Sequence, residues 1–455
     1  MAITSINPAT GKTIKTYDEM KPNQAAAAVA QAHEIWRTWR ATSFGERVKP
    51  MKKTAEILRQ RKDDLARLMA VEMGKPLAQG VAEAEKCAWA CDYYADNAEA
   101  HLAPDVIKTE GSKSYVAFEP LGVVLAVMPW NFPLWQVYRF AAPALMAGNV
   151  GVLKHASNVP GCALVIEEIF NQAGFPAGAF RTLLIANTQV RAVIEHPLVR
   201  AVTLTGSTLA GQAVASQAGA VLKKTVLELG GSDPYVVLED ADLDRAVETC
   251  VNSRLINGGQ SCIAAKRFIV VEPVRATFIE RFVALMKTKK MGDPLQEGID
   301  LGPQARHNLR DDLHKQVLTS IERGAKLLLG GQVPAGEGAY YPPTVLTDVK
   351  PGMPAYDEEI FGPVAAIIGA KDEEDAVRIA NDTIFGLGAA VFTKDAQRGE
   401  RVARKLEAGS TFVNSLVASD PRLPFGGIKE SGYGRELGSY GIKEFVNTKT
   451  VYVKS

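Results

Sequence analysis

The stretch NGGQSC, residues 257–262, ends in a cysteine, and the next histidine along the chain is His307. A cysteine nucleophile needs a thiolate, donors for the oxyanion that develops on its target, and a group that releases the product. Gly258 and Gly259 permit a tight turn. Cys262 is therefore expected at an exposed loop or at a helix start, where the dipole and free N–H groups lower a thiol pKa. The competing reading is a small buried hydrophobe, which is what most free cysteines are. Six residues leave both open.

Three further stretches could help such a cysteine. In LELGGSDP, residues 227–234, Glu228 stands between two leucines at a strand end. A carboxyl there is unfavourable unless paired or protonated. Burial would raise its pKa, which suits a general base near neutral pH; a salt-bridged structural glutamate is the alternative. In MPWNFPLWQVYR, residues 128–139, a strand ends at Pro129 and Asn131 follows in a proline-bounded turn. Its amide is a good oxyanion donor, while the aromatics around it fit a core equally well. In VTLTGSTLAG, residues 202–211, a strand runs through Gly206 and Ser207 into a helix. That junction offers N–H groups to a phosphate, but it is not the G-x-G-x-x-G fingerprint.

The elements that must position these residues are legible in the patterning. Residues 22–100 carry apolar positions at helical spacing with charged outer faces. Short β-branched runs follow: SYVAFEPLG, LGVVLAVMP, NVGVLKH, RTLLIA, RAVTLTG and KTVLELGG. Helical segments at 160–176 and 209–220 lie between them. After Gly231 the alternation resumes with DPYVVLED, a helix at 240–256, RFIVVE, a long helix to about Lys290, GPVAAIIGA and AAVFTK. Strands alternating with helices imply parallel βαβ units and open α/β sheets. The alternating tail IKEFVNTKTVYVKS can pair with the strand at 113–119, within the chain or across a subunit boundary. Prolines and glycines at 331–343 and 420–434 mark loops.

Composition narrows the function classes. The 455 residues suffice for two or three domains of roughly 100–200 residues. A formal net charge of +1 provides no field toward nucleic acid or a membrane surface. The first thirty residues lack the apolar stretch of a signal peptide, and the run LGVVLAVMPW is too short and broken to span a bilayer. The expectation is a cytoplasmic protein. Its five cysteines, Cys87, Cys91, Cys162, Cys250 and Cys262, are sparse and odd in number, which fits a reducing compartment. Cys87 and Cys91 are spaced i, i+4, but no second pair has ligand spacing and the histidines are scattered. No metal is expected.

MPWNFP, LTGS, LELGG, GQSC, EEIFGPV (358–364) and PFGGIKESGYGRE (424–436) stand in the order in which the aldehyde dehydrogenase superfamily carries like motifs. The chain resembles that family over nearly its whole length, and Glu228 followed 34 residues later by Cys262 is a specific pair. The resemblance implies an α/β fold with two open α/β domains and a small β oligomerisation arm. A Rossmann-like cofactor domain would comprise 1–101 and 121–229, a catalytic domain 230–436, and the arm 102–120 and 437–455. It implies a homodimer or dimer of dimers. Cys262 would attack the aldehyde carbon to give a thiohemiacetal, with Asn131 and the Cys262 N–H holding the oxyanion. Hydride would pass to the nicotinamide, and Glu228 would activate water to hydrolyse the thioester. Members that transfer the acyl group to coenzyme A typically lack this glutamate, so hydrolysis to a free acid is expected.

The same resemblance implies the cofactor residues. Glu359 would bind the nicotinamide ribose and Phe361 would pack beside the ring. Gly206 and Ser207 would meet the pyrophosphate, Lys154 the adenosine ribose, and Trp130 and Leu229 would complete the site. NAD-preferring relatives often have a glutamate three residues after this lysine. Here Ser157 stands there, leaving room and positive charge for a 2′-phosphate, so NADP is the expected cofactor and NAD the less favoured one.

Arg139 lies eight residues after Asn131. An arginine on the substrate side implies a carboxylate at the far end of the aldehyde, while a surface or core-paired arginine is the alternative. Semialdehyde-oxidising members carry an arginine at this offset and a serine matching Ser419, with Trp135 as a pocket wall. Many have a second arginine six residues before the cysteine. That position is Ile256 here, and the nearest arginine is Arg254. Ala264 stands where some relatives have a cysteine that forms a redox disulfide with the nucleophile, which this chain cannot do. Succinic semialdehyde is the expected substrate. Glutarate semialdehyde differs by one methylene, worth about 1–3 kcal/mol of discrimination. A non-redox cysteine ester or thioester hydrolase and a binding protein on an old enzyme fold are the readings from other classes.

Overall fold

The structure is a computed structural model and describes residues 2–454. A six-stranded sheet has the spatial order Gly432–Tyr433, Lys224–Glu228, Val199–Thr205, Val123–Met128, Val150–His155, Phe180–Thr182. Its neighbours run parallel except for the short first pair. The strands Val123–Met128 and Val150–His155 are almost wholly buried, which is why they are apolar runs without polar alternation. RTLLIA forms less strand than its composition predicts, because its ladder with residues 151–153 ends at Thr182.

From Val123–Met128 the chain first builds outward to Val150–His155 and Phe180–Thr182. It then crosses back to lay Val199–Thr205 and Lys224–Glu228 on the other side. Such a reversal opens a crevice at the carboxyl ends of the strands, the usual ligand site of open α/β sheets. Asn131 follows one flanking strand and Gly206 the other.

A second, seven-stranded sheet has the order Lys326–Leu329, Thr344–Thr347, Val364–Ala370, Arg267–Val271, Pro234–Val237, Gly388–Phe392, Ser410–Val413. Only its first pair is antiparallel. The loops that carry Gly230–Gly231, Cys262 and Glu359–Phe361 lead into three of its central strands. The functional loops therefore collect between the carboxyl ends of one sheet and the amino ends of the other.

Four helices, Pro22–Trp39, Phe44–Gln60, Lys62–Met73 and Leu77–His101, occupy the predicted helical region. Gly80 permits the last to lie against the third, since a Cβ there would stand 2.8 Å from Ala66 Cα. The tail strand Val446–Val453 pairs antiparallel with Lys113–Pro120 in the same chain, Val446 opposite Pro120 and Val453 opposite Lys113. Asp105–Val106 completes this three-stranded sheet, and the far edge of Val446–Val453 has no strand partner among the described residues. An N-terminal hairpin, Ala2–Ile6 with Thr13–Asp18, was not foreseen. Among the described residues no helix is long and apolar enough to cross a membrane.

Candidate active site

The cysteine loop begins with three successive residues in the left-handed region: Asn257 at φ 53°, Gly258 at φ 64° and Gly259 at φ 76°. Asparagine and glycine are the residues that accept this conformation most readily. Gly259 has a second reason to lack a side chain, because a Cβ there would lie 2.2 Å from the Gly362 carbonyl oxygen. Fully buried Arg254 donates to the Gly259 carbonyl at 2.7 Å. It holds the loop rather than a substrate.

The loop is tied to the Asn131 turn in both directions. Asn257 Nδ2 donates to the Asn131 carbonyl at 2.6 Å, and Asn131 Nδ2 donates to the Gln260 carbonyl at 3.1 Å. Beyond Gln260 a turn leads into the strand Arg267–Val271, and no helix begins at Cys262. Of the two expected settings, a loop or a helix start, the structure has the loop, so no helix dipole acts on the thiol. Burial instead pushes the Cys262 thiol up to about 12, against the opposing pull of Lys266 and Arg139. Lys266 donates to the carbonyls of Ser261 and Cys262 and orients the peptide that carries the sulfur. The Cys262 N–H has no acceptor among the described residues.

Glu228 ends its strand fully buried, and neither carboxyl oxygen has a hydrogen-bond partner. Desolvation and neighbouring Glu436 raise its pKa well above the usual carboxylate range, with Arg139 and Arg435 opposing. The salt-bridged alternative does not hold. The two glycines after it are required by close approach: a Cβ on Gly230 would stand 2.6 Å from Glu359 Oε2, and one on Gly231 2.8 Å from the Cys262 carbonyl oxygen. Glu359 Oε1 accepts from the Gly231 N–H at 3.0 Å and lies 3.6 Å from Lys266 Nζ.

A cavity of about 470 Å³ brings together Cys262, Trp135, Arg139, Ser419 and Ile256. Arg139 is 2% exposed, and its guanidinium is committed to an ion pair with Glu436. It also donates to Thr205 Oγ1 at 3.3 Å and lies 4.7 Å from the Phe425 ring centroid. Both readings of this arginine thus have a basis: it borders the cavity and it is a core-paired residue. The sequence reading missed two groups beside it. Lys86, from the helix Leu77–His101, donates to Ser419 Oγ at 2.8 Å and sits 4.5 Å from the Trp135 ring centroid. Glu83, one turn earlier, accepts from the N–H groups of Leu134 and Trp135, both at 2.9 Å, and pairs with Lys75. It fixes the start of the helix Trp135–Met146. Only the i, i+3, i+4, i+7 spacing of residues 79, 82, 83 and 86 could have announced this face.

The residues implied for NADP fit such a group. Lys154 Nζ donates to Asn187 Oδ1 and meets no carboxylate among the described residues, and burial brings its pKa down to about 8. Ser157 is exposed just beyond it. A phosphate monoester would meet a cation with no acid to repel it. Gly206 and Ser207 open the thirteen-residue helix Thr208–Ala220, whose first free N–H groups suit a pyrophosphate. Leu229 is packed on Gly211 of that helix rather than projecting freely. Trp130 and Phe361 form an edge-on pair at 5.8 Å. Cys87, Cys91, Cys162 and Cys250 are buried, so Cys262 alone among the cysteines reaches the cavity.

The Asn131 turn is hydrogen-bonded to the cysteine loop and Gly231, three residues after Glu228, abuts the Cys262 carbonyl, although the Asn131 and Glu228 side chains do not line the cavity that Cys262 enters. The chain matches the aldehyde dehydrogenase family over residues 1–451, and it belongs to that family. It is 52% identical over 453 residues to a probable succinate-semialdehyde dehydrogenase (NADP+) of Synechocystis, with 100% of both chains covered. It is 50% identical to the succinate-semialdehyde dehydrogenase (NADP+) of Mycobacterium avium, covering 100% of this chain and 97% of that one. The crystal structure of succinic semialdehyde dehydrogenase from Streptococcus pyogenes in complex with NADP+ superposes with a TM-score of 0.98 at 39% identity, both chains covered completely.

Proposed function

We propose that this protein oxidises succinic semialdehyde to succinate with NADP as its preferred cofactor. The observation that carries the reading is a single cavity that holds Cys262 together with a wall of Arg139, Lys86 and Ser419. It offers a nucleophile to an aldehyde and cations with a hydroxyl to a carboxylate. The names of the relatives support the same substrate and cofactor.

Cys262 attacks the aldehyde carbon: its S–H proton passes to water, the S–C bond forms, and the carbonyl π pair moves to oxygen as the thiohemiacetal anion. Asn131 Nδ2 and the Cys262 N–H stabilise the oxyanion. Both belong to a loop pair whose hydrogen bonds preset their direction before substrate arrives. NADP, when bound, supplies the acceptor for the hydride whose loss turns the thiohemiacetal into a thioester. Glu359, Phe361 and Trp130 orient it on the nicotinamide side; Gly206 and Ser207 receive its pyrophosphate, Lys154 and Ser157 its 2′-phosphate, and Leu229 backs the helix that carries them. Glu228 takes a proton from the water that hydrolyses the thioester. A carboxylate whose pKa is raised by burial is a stronger base than an exposed one. The acid leaves and the thiol is restored.

In this reading 1–101 with 121–229, which holds five of the six strands of the first sheet, binds the cofactor, and 230–436, which returns Gly432–Tyr433 as that sheet's edge, supplies the catalytic half. The segments 102–120 and 437–455 join subunits into a dimer or dimer of dimers, supported by the unpartnered edge of Val446–Val453. A cytoplasmic setting fits five free thiols, four of them buried. The test is initial rates of reduced-cofactor formation with succinic semialdehyde, glutaric semialdehyde and acetaldehyde, each with NADP and NAD. Fast NADP-dependent turnover of succinic semialdehyde is expected. Preference for acetaldehyde would sink the substrate assignment, and higher kcat/KM with NAD the cofactor assignment.

A further inference from the structure

A carboxylate entering the Cys262 cavity needs a cation that is not already neutralised. Three line the cavity: Lys86, Arg139 and Lys289. Arg139 is committed to Glu436. Lys289 is half-buried and donates to Asn252 Oδ1 at 3.5 Å. Ile256, which also lines the cavity, offers no charge.

Lys86 is different. Its ammonium makes no ion pair among the described residues; its contacts are the Ser419 hydroxyl at 2.8 Å and the Trp135 ring at 4.5 Å. The acids nearest to it are already engaged, Glu83 with Lys75 and Asp420 with Arg422. Because Ser419 Oγ accepts from Lys86, its own hydrogen is free to be donated elsewhere. A part-buried ammonium without a counter-ion is an unfavourable arrangement that an arriving anion relieves.

We propose that Lys86 is the specificity-determining cation of this site, binding the terminal carboxylate of the semialdehyde together with Ser419. The assignment rests on the semialdehyde reading above. The groups facing Lys86 are Arg139, which repels its charge, and Glu83, Asp420 and the Cys87 thiol, which favour it; burial outweighs them and brings its pKa down to about 8. Lys86 is thus mostly charged at neutral pH and loses its charge above pH 8. Binding of a carboxylate should weaken over that range.

The experiment compares succinic semialdehyde with butanal, an uncharged aldehyde of equal carbon number, in the wild-type enzyme, Lys86→Met and Lys86→Arg. In Lys86→Met the ratio of kcat/KM for the semialdehyde to that for butanal should fall about tenfold to a hundredfold, the range for losing one charge-assisted hydrogen bond. The loss should lie in KM. Lys86→Arg should recover most of the ratio. In the wild type, KM for the semialdehyde should rise above about pH 8 while that for butanal does not, and Lys86→Arg should lack the rise. This comparison stands even if Lys86→Met does not fold. An unchanged ratio in Lys86→Met, or a rise in KM that persists in Lys86→Arg, would overturn the assignment while leaving the semialdehyde reading intact. A wild-type enzyme that does not favour the semialdehyde over butanal would overturn both.

Discussion

Replacing Arg139 is the obvious test of substrate binding, and the structure predicts that its first effect is on stability. Its side chain is 2% exposed and that of Glu436 4%, so the substitution leaves a buried carboxyl without its partner. Breaking such a pair costs about 3–5 kcal/mol. The Thr205 hydrogen bond adds about 1 kcal/mol and the Phe425 ring contact about the same, though these terms overlap. A loss of about 4 kcal/mol is expected for Arg139→Met at pH 8. It should shrink in mild acid. Glu436 already holds its proton to higher pH than a free carboxyl because of burial, with Arg139 opposing that rise. Without Arg139 the folded carboxyl pKa rises further, so folded protein binds a proton that the unfolded chain does not. Stability then falls as pH climbs from the ordinary carboxylate range through the raised value. Urea unfolding of Arg139→Met, Glu436→Gln and the double variant, at about pH 6 and pH 8, measures this directly. The double variant should recover most of the loss and flatten its pH dependence. If Arg139→Met costs less than about 1 kcal/mol and Glu436→Gln rescues nothing, the pair is not structural, and the assignment of the ion pair as a fixed part of the core fails.

Glu228→Gln should give a burst of about one reduced cofactor per active site, then a steady rate lower by roughly 10²–10⁴. The acceleration of the steady rate with rising pH, as wild-type Glu228 loses its proton, should vanish with it. Absence of a burst would place the slow step before the thioester. Asn131→Ala should lower kcat by about 10²–10³; an effect confined to KM would remove the oxyanion role. Ser157→Glu should move the kcat/KM ratio toward NAD by at least about tenfold, because a carboxylate would oppose a 2′-phosphate. In the wild type, the Kd for NADP should climb above about pH 8 as Lys154 loses its proton, and a pH-independent Kd would argue against contact with the phosphate.

The sequence made some parts of this site plain and hid others. Asn131, Glu228 and Cys262 were legible because each stands where local chemistry is odd: an amide in a proline turn, an acid in an apolar strand, a thiol after two glycines. The parallel sheets were legible for the same reason that they are stable, since strands buried on both faces must be apolar throughout. Of the two settings open for Cys262, a loop or a helix start, the structure has the loop, because Asn257–Gly259 bend the chain toward a strand. Lys86 and Glu83 were hidden because a lysine and a glutamate on a long helix look like any solvated face. Only the packing of Leu77–His101 against Trp135–Met146 turns that face inward. The commitment of Arg139 depends on Glu436, nearly three hundred residues away, which no local pattern reveals.

The contact between Gly259 and Gly362 separates two kinds of inheritance in this molecule. It joins the backbone that carries the nucleophile to the backbone that carries Glu359 and Phe361, with no side chain between them. The spacing between the cysteine loop and the Glu359–Phe361 loop is therefore set by main-chain geometry. Recognition of the far end of the aldehyde rests instead on side chains from Leu77–His101, Trp135–Met146 and the loop around Ser419. Changes there can alter which aldehydes are accepted while the backbone contact between the two loops keeps its dimensions.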